Sequence, residues 1–398
     1  MMDDFFRAKR PWSQYKDLIL GYYLEPYIPK VNKLGRPILI VDCFAGPGKF
    51  DDGKAGSPLI ICAAIKRWRE KGVNVRGVFI EDKRDHFEKL RHLLEQYADF
   101  ATPKRGKFEE HLPELAELAA QNTVFLYIDP YTVKSLEFDP MRRVYLQIQH
   151  VGASVEALIN FNAATFMRWG LAALKRLRGD IPEVATDEDD EPYGADDPLE
   201  SVELSTLDAI AGGDYWHRIA LDAALPFERK LHQLTEQYAR LLETSFQSTV
   251  EPTRRKGWVG SYGVKSKYHH KVPKYYMVYA TRSGHGIDLM NDAMCKARRE
   301  FLKDEFASSE FLFDITPPAE LADPTEVSEQ LVILASRMKS PFTRRQLRLQ
   351  ALSQNFCRYS SKDYNNAVSS LLKEGKMYSR SGRTRINDDE PLSLTSFK

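Results

Sequence analysis

Two glycines just past an apolar run, with an acid ahead of them, are the first sign of chemistry in this sequence. Pro37-Ile38-Leu39-Ile40-Val41 leads into Asp42-Cys43-Phe44-Ala45-Gly46-Pro47-Gly48, and a helix start at Ser57-Pro58 follows. Glycines let a backbone turn sharply and come close to a ligand, and the carboxyl end of a first strand is where doubly wound sheets bind nucleotides. A Walker-type phosphate loop is excluded, because no Gly-Lys-Ser or Gly-Lys-Thr follows. Glu81 closes a second apolar run, Val78-Phe79-Ile80-Glu81-Asp82. An acid at that place accepts hydrogen bonds from both hydroxyls of a ribose. Its other reading is a cap for the helix beginning near Asp85, which Asp82 or Asp85 could equally supply. Asp129-Pro130-Tyr131 ends a fourth run and Asn160-Phe161-Asn162 a fifth. Both face the same crevice and could hold a substrate, although Asp129 and Pro130 could also serve only to end a strand.

A second kind of segment mixes bases with aromatics. Arg254-Arg255-Lys256-Gly257-Trp258 and Lys265-Ser266-Lys267-Tyr268-His269-His270-Lys271 pair cations for phosphate with faces for stacking, the composition of a single-strand or loop contact in nucleic acid. A solvated hairpin is the plainer alternative. Near the C-terminus, Ser360-Ser361-Lys362-Asp363-Tyr364 opens a helix that could enter a major groove, and Lys376, Arg380, Arg383 and Arg385 follow where a wing would meet phosphate. Such units also bind protein.

The spacing of apolar residues supplies the elements that position these motifs. Helical periodicity covers residues 14–27, ending at Pro26 and Pro29. Strands at 37–44, 75–81, 101–107, 123–129 and 155–161 alternate with helices at 57–71, 85–97, 112–121 and 140–149. That alternation implies a mostly parallel sheet with helices on both faces. It breaks over about residues 163–246, read as an insertion with helices at 166–178 and 227–244 around a loose acidic loop. A strand at 275–281 and a helix at 287–306 resume the pattern. Residues 316–324 carry three prolines and read as a linker. Beyond it, helices at 325–339, 343–352 and 360–374 and a ribbon at 376–386 suggest a winged helix-turn-helix. The expected domains are thus 1–315 and 325–398.

The composition narrows the class. Among 398 residues, 43% are hydrophobic and 28% charged, which excludes disorder as the main state. No stretch approaches the length of a membrane helix, and Asp3 and Asp4 stand where a signal peptide is basic, so a cytoplasmic protein with no membrane partner is expected. Cys43, Cys62, Cys295 and Cys357 lie too far apart for a zinc ribbon and read as buried thiols; no metal site is expected. The formal net charge of +1 is a cancellation. Ten acids and no base fall within residues 183–203, seven bases and one acid within 251–275, and thirteen bases against seven acids from Glu326 onward. Segregated charge of this kind points to anionic partners for particular surfaces.

The Asp42–Gly48 loop, with Phe44 and Ala45 inside it, resembles motif I of S-adenosylmethionine-dependent methyltransferases. The resemblance implies that Asp42, Phe44, Ala45, Gly46 and Gly48 seat the cofactor and that Glu81 holds its ribose. Such enzymes read the adenine after the third strand, which points to Phe108 and Glu109. Lys107 stands where an acid is common, and a pair of helix-start glutamates is the other reading of that segment. Asp129-Pro130-Tyr131 is similar to the Asp/Asn-Pro-Pro-Tyr/Phe motif of amino-group methyltransferases acting on bases, in which the polar residue holds the target amine and the aromatic stacks on the extruded base. One proline is missing here, which changes where the aromatic points.

Taken together, the helix at 15–24, the loop running into Gly56-Ser57-Pro58, Phe79-Ile80-Glu81, Asp129-Pro130-Tyr131 and residues 275–282 resemble the three-Cys-motif partner protein (TcmP-like) family of bacteria and their phages. The resemblance covers roughly residues 10–310, and a C-terminal winged helix occurs in such proteins. It implies a Rossmann-like class I methyltransferase fold with a helical, acidic insertion, and a radical-SAM-like three-Cys protein as partner. The function expected is S-adenosylmethionine-dependent methylation of DNA or RNA, with base amino groups as one target. The alternative is an adaptor that keeps the fold, binds nucleic acid or a partner in a phage or defence setting, and has lost catalysis.

Overall fold

Every residue of β1 (Ile38–Asp42), β4 (Thr123–Ile128), β5 (Val155–Phe161) and β7 (Tyr275–Thr281) is buried. Strands without a polar face must be covered on both sides, and helices do the covering. The structure, a computed structural model, describes residues 9–133, 136–150, 154–177, 202–246, 257–267, 270–308 and 323–395. The chain divides into two units, Met1–Arg282 and Ser283–Lys398.

In the first unit α1 (Pro11–Asn32) precedes β1, and α2 (Ser57–Arg69), β2 (Val75–Glu81), α3 (Arg84–Leu94), β3 (Ala101–Arg105) and α4 (Phe108–Gln121) lead to β4. Then come α5 (Phe138–His150), β5, α6 (Ala163–Leu177), α7 (Leu204–Ala211), α8 (Tyr215–Leu221), α9 (Phe227–Phe246), β6 (Trp258–Val264) and β7. The seven strands lie in the order β3-β2-β1-β4-β5-β7-β6. β1 through β5 are parallel, and β7 runs antiparallel to both β5 and β6. This is a doubly wound, Rossmann-like α/β sheet. Its strand order reverses between β1 and β4, and a crevice opens at their carboxyl ends.

The two faces of β5 show how the sheet is covered. Val155, Ala157, Ile159 and Phe161 join a core with Tyr145, Phe166, Trp216 and Tyr238, and the Phe161 and Tyr238 rings stack at 4.5 Å. On the other face Glu156 meets α1 through Tyr23, with Tyr279 at 2.8 Å and Thr281 at 3.0 Å. Burial pushes the Glu156 carboxyl up, against the pull of those three hydroxyls. α1 runs straight through Pro26 and Pro29, where the sequence implies a stop. Both prolines, and the residues Tyr22 and Glu25 whose carbonyls lose their amide partners, lie on its half-exposed side, while Tyr23, Leu24, Tyr27 and Ile28 bury the other.

Part of the expected insertion consists of packed helices. α7 and α8, absent from the sequence reading, add Leu207, Ile210 and Trp216 to the core. Most of the acidic run lies outside the described residues. Residues 258–264, read as a contact loop, form edge strand β6, because β7 offers them a full antiparallel register from Trp258↔Thr281 to Val264↔Tyr275.

The second unit holds α10 (Gly284–Ser308), α11 (Pro324–Ser336), β8 (Phe342–Thr343), α12 (Arg344–Asn355), α13 (Ser361–Lys373), β9 (Met377–Ser379) and β10 (Pro391–Leu394), with a small antiparallel sheet ordered β8-β10-β9. The division at Arg282 falls ahead of the proline-rich stretch, so α10 is grouped with the second unit and not the first. Side chains explain the grouping. Asp288 of α10 takes a bidentate pair from Arg348 of α12 at 2.9 Å, Asn291 bonds Tyr359 O and Cys357 N at 2.8 Å, and Asp292 caps α13 through Ser361 N at 2.7 Å. The ribbon expected at 376–386 is also displaced: β9 pairs with β10, and Arg380, Arg383 and Arg385 lie in the connection between them. All four cysteines are free and buried. No helix among the described residues is long and apolar enough to cross a membrane.

Candidate functional site

The turn after β1 begins with Asp42, whose carboxyl is fully buried. One oxygen accepts from Phe44 N at 3.4 Å, while Oδ2 has no hydrogen-bond partner among the described residues. Burial drives this carboxyl up to about 7, Asp129 and Glu81 add to the rise, and Ser57 and the Phe44 amide oppose it. The chain then crosses toward β2: Ala45 N donates to Ile80 O at 2.8 Å, and Gly46 N donates to Glu81 Oε2 at 2.8 Å. Gly46 and Gly48 have φ of 64° and 79°, the left-handed region that glycine enters without penalty. A Cβ on Gly48 would also stand 2.5 Å from Leu93 Cδ2.

Glu81 is not a helix cap. Its Oε1 accepts from Lys83 N at 3.0 Å, Tyr131 Oη donates to Oε2 at 3.3 Å, and His86 Nδ1 stands 3.7 Å from Oε1. Burial raises the Glu81 carboxyl, but His86 and the Lys83 and Gly46 amides outweigh it and leave the group below its ordinary value. An ionised carboxylate therefore fixes the glycine turn and reaches the cleft beside it.

That cleft measures about 440 Å³ and is lined by Phe44, Glu81, Asp82, Lys107, Phe108 and Glu109 among others. Its size suits a small-molecule ligand. Phe108 and Glu109 stand in the first turn of α4, but the capping is done by Glu110, whose carboxyl accepts from Lys107 N at 3.2 Å. Glu109 is left to the cleft, and burial raises its carboxyl. The structure thus brings Phe44, Glu81, Phe108 and Glu109 together around one space, with Asp42, Ala45 and Gly46 at its β1 side.

The acceptor side is organised differently. Asp129 is held by Lys16 Nζ at 2.8 and 2.6 Å and by Asn160 Nδ2 at 2.7 Å, with the Tyr127 hydroxyl at 3.3 Å. Tyr131 turns its hydroxyl to Glu81 and its ring toward His86, and Lys83 Nζ lies 5.3 Å from that ring. Pro130, Tyr131 and Asn160 enclose a space of only about 10 Å³, room for one water. Phe161 belongs to the core and Asn162 caps α6 through Thr165 N at 3.1 Å. Lys16 and His86 escaped the sequence reading. The one signal for Lys16 was a lysine continuing the buried stripe of Ile19, Leu20 and Tyr23.

Lys265, Lys267 and Lys271 lie on the turn from β6 to β7, and since β6 runs alongside β5 in the same sense, this turn sits at the carboxyl edge, the edge that carries Asp129. Lys362 is exposed in the first turn of α13, and Arg380 and Arg383 are exposed between β9 and β10. Arg254, Arg255 and Lys256 lie outside the described residues.

No family model matches the sequence, and no curated protein matches it either. The likeness to three-Cys-motif partner proteins therefore rests on the motifs alone. Several solved structures are similar. One is a putative caffeoyl-CoA O-methyltransferase from Staphylococcus aureus, 7% identical over 65% of this chain and 82% of that one, with a TM-score of 0.30. Another is the plantazolicin methyltransferase BamL in complex with a triazolic desmethylPZN analog and SAH, 12% identical over 68% and 84%, TM-score 0.29. A third is WbdD, 18% identical, where the match spans 34% of this chain and 27% of that chain, TM-score 0.24. Similarities this slight decide no activity here; the Rossmann-like character rests on the sheet's own strand order.

Proposed function

We propose that the first unit is an S-adenosylmethionine-dependent methyltransferase acting on nucleic acid. The observation that carries this reading is the cleft at the ends of β1 and β2, where a glycine turn, the ionised Glu81 and the aromatic rings of Phe44 and Phe108 surround about 440 Å³. Its chemistry suits the cofactor: a cationic amino-acid end meets buried carboxylates, with the unpartnered Asp42 Oδ2 among them, Glu81 takes the ribose and the rings flank the adenine. When bound, the cofactor supplies a methyl group made electrophilic by a sulfonium. The lysines of the β6–β7 turn support a polyanion lying across the edge that carries Asp129.

In the second unit, the sequence of helix, short strand, two helices and two strands reads as a winged helix-turn-helix, in which Lys362 would enter a groove and Arg380 and Arg383 would meet phosphate. A radical-SAM-like three-Cys protein remains the partner implied by the motif resemblance. Calorimetry tests the core of the proposal: the intact protein binds S-adenosylmethionine, and Glu81→Ala weakens it. Absence of binding to the intact protein overturns it.

A binding adaptor is the second reading, favoured by the nearly closed space beside Tyr131. Under it the cofactor binds but no methyl is transferred; a methylated product that depends on Asp129 excludes it.

A further inference from the structure

Asp129 has no room for a target amine. An ionised carboxylate offers about four lone-pair sites. Lys16 Nζ meets Oδ1 at 2.8 Å and Oδ2 at 2.6 Å, Asn160 Nδ2 donates to Oδ1 at 2.7 Å, and the Tyr127 hydroxyl stands 3.3 Å from Oδ2. A residue that must accept hydrogen bonds from an exocyclic amine is instead saturated by the protein's own donors. What the arrangement presents at the crevice is a buried lysine with a fixed counter-ion, Lys16 being 4% exposed.

We propose that Lys16 is the proton acceptor of the methyl transfer and that the acceptor group is an alcohol, the ribose 2′-hydroxyl of RNA. The inference rests on the methyltransferase reading above and names the substrate class of that site. An alcohol keeps its proton at neutral pH, so its oxygen becomes a competent nucleophile only as a base takes that proton. A lysine shielded from water can serve, because burial eases the loss of its charge. The step balances: the ribose oxygen bonds to the methyl carbon, the methyl–sulfur bond breaks with its electron pair staying on sulfur, and the hydroxyl proton passes to the neutral Nζ of Lys16. The ammonium so formed is held by Asp129. Every RNA residue carries this hydroxyl, whereas DNA has free hydroxyls only at chain ends.

The groups around Lys16 are mixed in sign. Asp129 and Tyr127 come from the end of β4, Asn160 from β5, and Tyr275 from β7, with Nζ 5.3 Å from its ring and Tyr275 Oη donating to Trp12 O at 2.7 Å. Lys274 lies over Trp12, and Lys9 ahead of α1 pairs with Asp17. Burial brings Lys9 down to about 8 against the pull of Asp52, and Lys54 and Lys16 add to the fall. The carboxylates Asp42 and Glu81 lie near enough to Asp129 to act on the same groups. They favour the ammonium, and a cationic cofactor entering beside them works against it.

Lys16→Arg and Lys16→Met separate a base from a strut. Arginine keeps the pair with Asp129 but stays protonated at all working pH values. Both variants are expected to keep the wild-type thermal midpoint within a few degrees and to bind S-adenosylhomocysteine as the wild type does. Both are expected to lose methyl transfer to RNA by about 100-fold or more. Nucleoside digests of RNA incubated with the wild-type protein and labelled S-adenosylmethionine should contain 2′-O-methyl nucleosides, and an all-DNA substrate should take no label. Calorimetry at pH 8 in buffers of different ionisation enthalpy gives a readout without turnover. Binding of the cationic cofactor should release more protons than binding of the neutral thioether product, and Lys16→Met should erase the difference. Full activity of Lys16→Arg, an N-methylated base as product, or no transfer to RNA by protein that binds the cofactor overturns this inference and leaves the methyltransferase reading standing. Failure to bind the cofactor at all removes both.

Discussion

Glu81 and Asp42 are two carboxylates in one crevice with opposite protonation tendencies, and the cause is the donors around them. Glu81 has three donors and stays ionised; Asp42 has one weak amide contact and burial dominates. Replacing Glu81 by Ala should raise the dissociation constant for S-adenosylmethionine by about 10- to 100-fold, the worth of about 1.5–3 kcal/mol for hydrogen bonds to a charged group. Calorimetry reads this directly, and near-normal affinity would mean that the ribose is held elsewhere. For Asp42 the sign follows from a folded value, about 7, lying above the ordinary 3.8. Folding then favours the proton, so this group's contribution to stability is present below about pH 4 and is lost as the pH rises toward 7. Denaturant titrations from pH 4 to 7.5 should show that loss in the wild type and a flatter profile in Asp42→Asn.

At the scale of elements, the glycine turn works because β1 and β2 end side by side, with Asp42 in register with Phe79. Gly48 has both a left-handed backbone and no space for a Cβ. Gly48→Ala should therefore cost about 1–3 kcal/mol from backbone strain alone, more with the contact to Leu93, and lower the thermal midpoint while weakening cofactor binding. In the second unit α12 is tied to the β9–β10 connection by Arg348 and Arg344, both bonded to Asp388. The Arg348 guanidinium holds the Asp388 carboxyl well below the usual carboxylate range, burial opposes it, and Arg344 adds to the fall. A depressed acid stabilises the fold above its unfolded value and loses that contribution as the pH falls. The second unit should weaken below about pH 4, and Asp388→Asn should remove that pH dependence while lowering stability at pH 7. Thermal scans in acetate and phosphate buffers would show either result.

For the whole molecule the division at Arg282 makes α10 part of the second unit's framework. A fragment of residues 283–398 should unfold cooperatively by circular dichroism, and one of residues 323–398 should be weaker by about 3–5 kcal/mol, since it strands the buried Arg348 without Asp288. Equal stability of the two fragments would place α10 outside the unit. The elements themselves were largely legible. Strands covered on both faces leave continuous apolar runs, and the limits of β2, β5 and β7 coincide with those runs. Misreadings came where a neighbour supplied what the local sequence lacked. Pro26 and Pro29 do not stop α1, because its buried side is held against the sheet. Residues 258–264 become a strand because β7 runs beside them, and the second strand of the small sheet begins at Pro391, far from the basic residues that suggested a ribbon. The candidate site divides the same way. The glycine turn and Glu81 could be placed from the sequence, since short-range backbone geometry determines them. The fate of Asp129 could not. Its partners Lys16 and Asn160 are separated from it by 113 and 31 residues, and only the packing of α1 over the ends of β4 and β5 brings their nitrogens within bonding distance. The sequence by itself determined which segments turn, extend and carry charge, because those are local properties of side-chain type and spacing. Which lone pairs of Asp129 are already filled is a matter of which groups meet across the fold, and that only the tertiary structure decided.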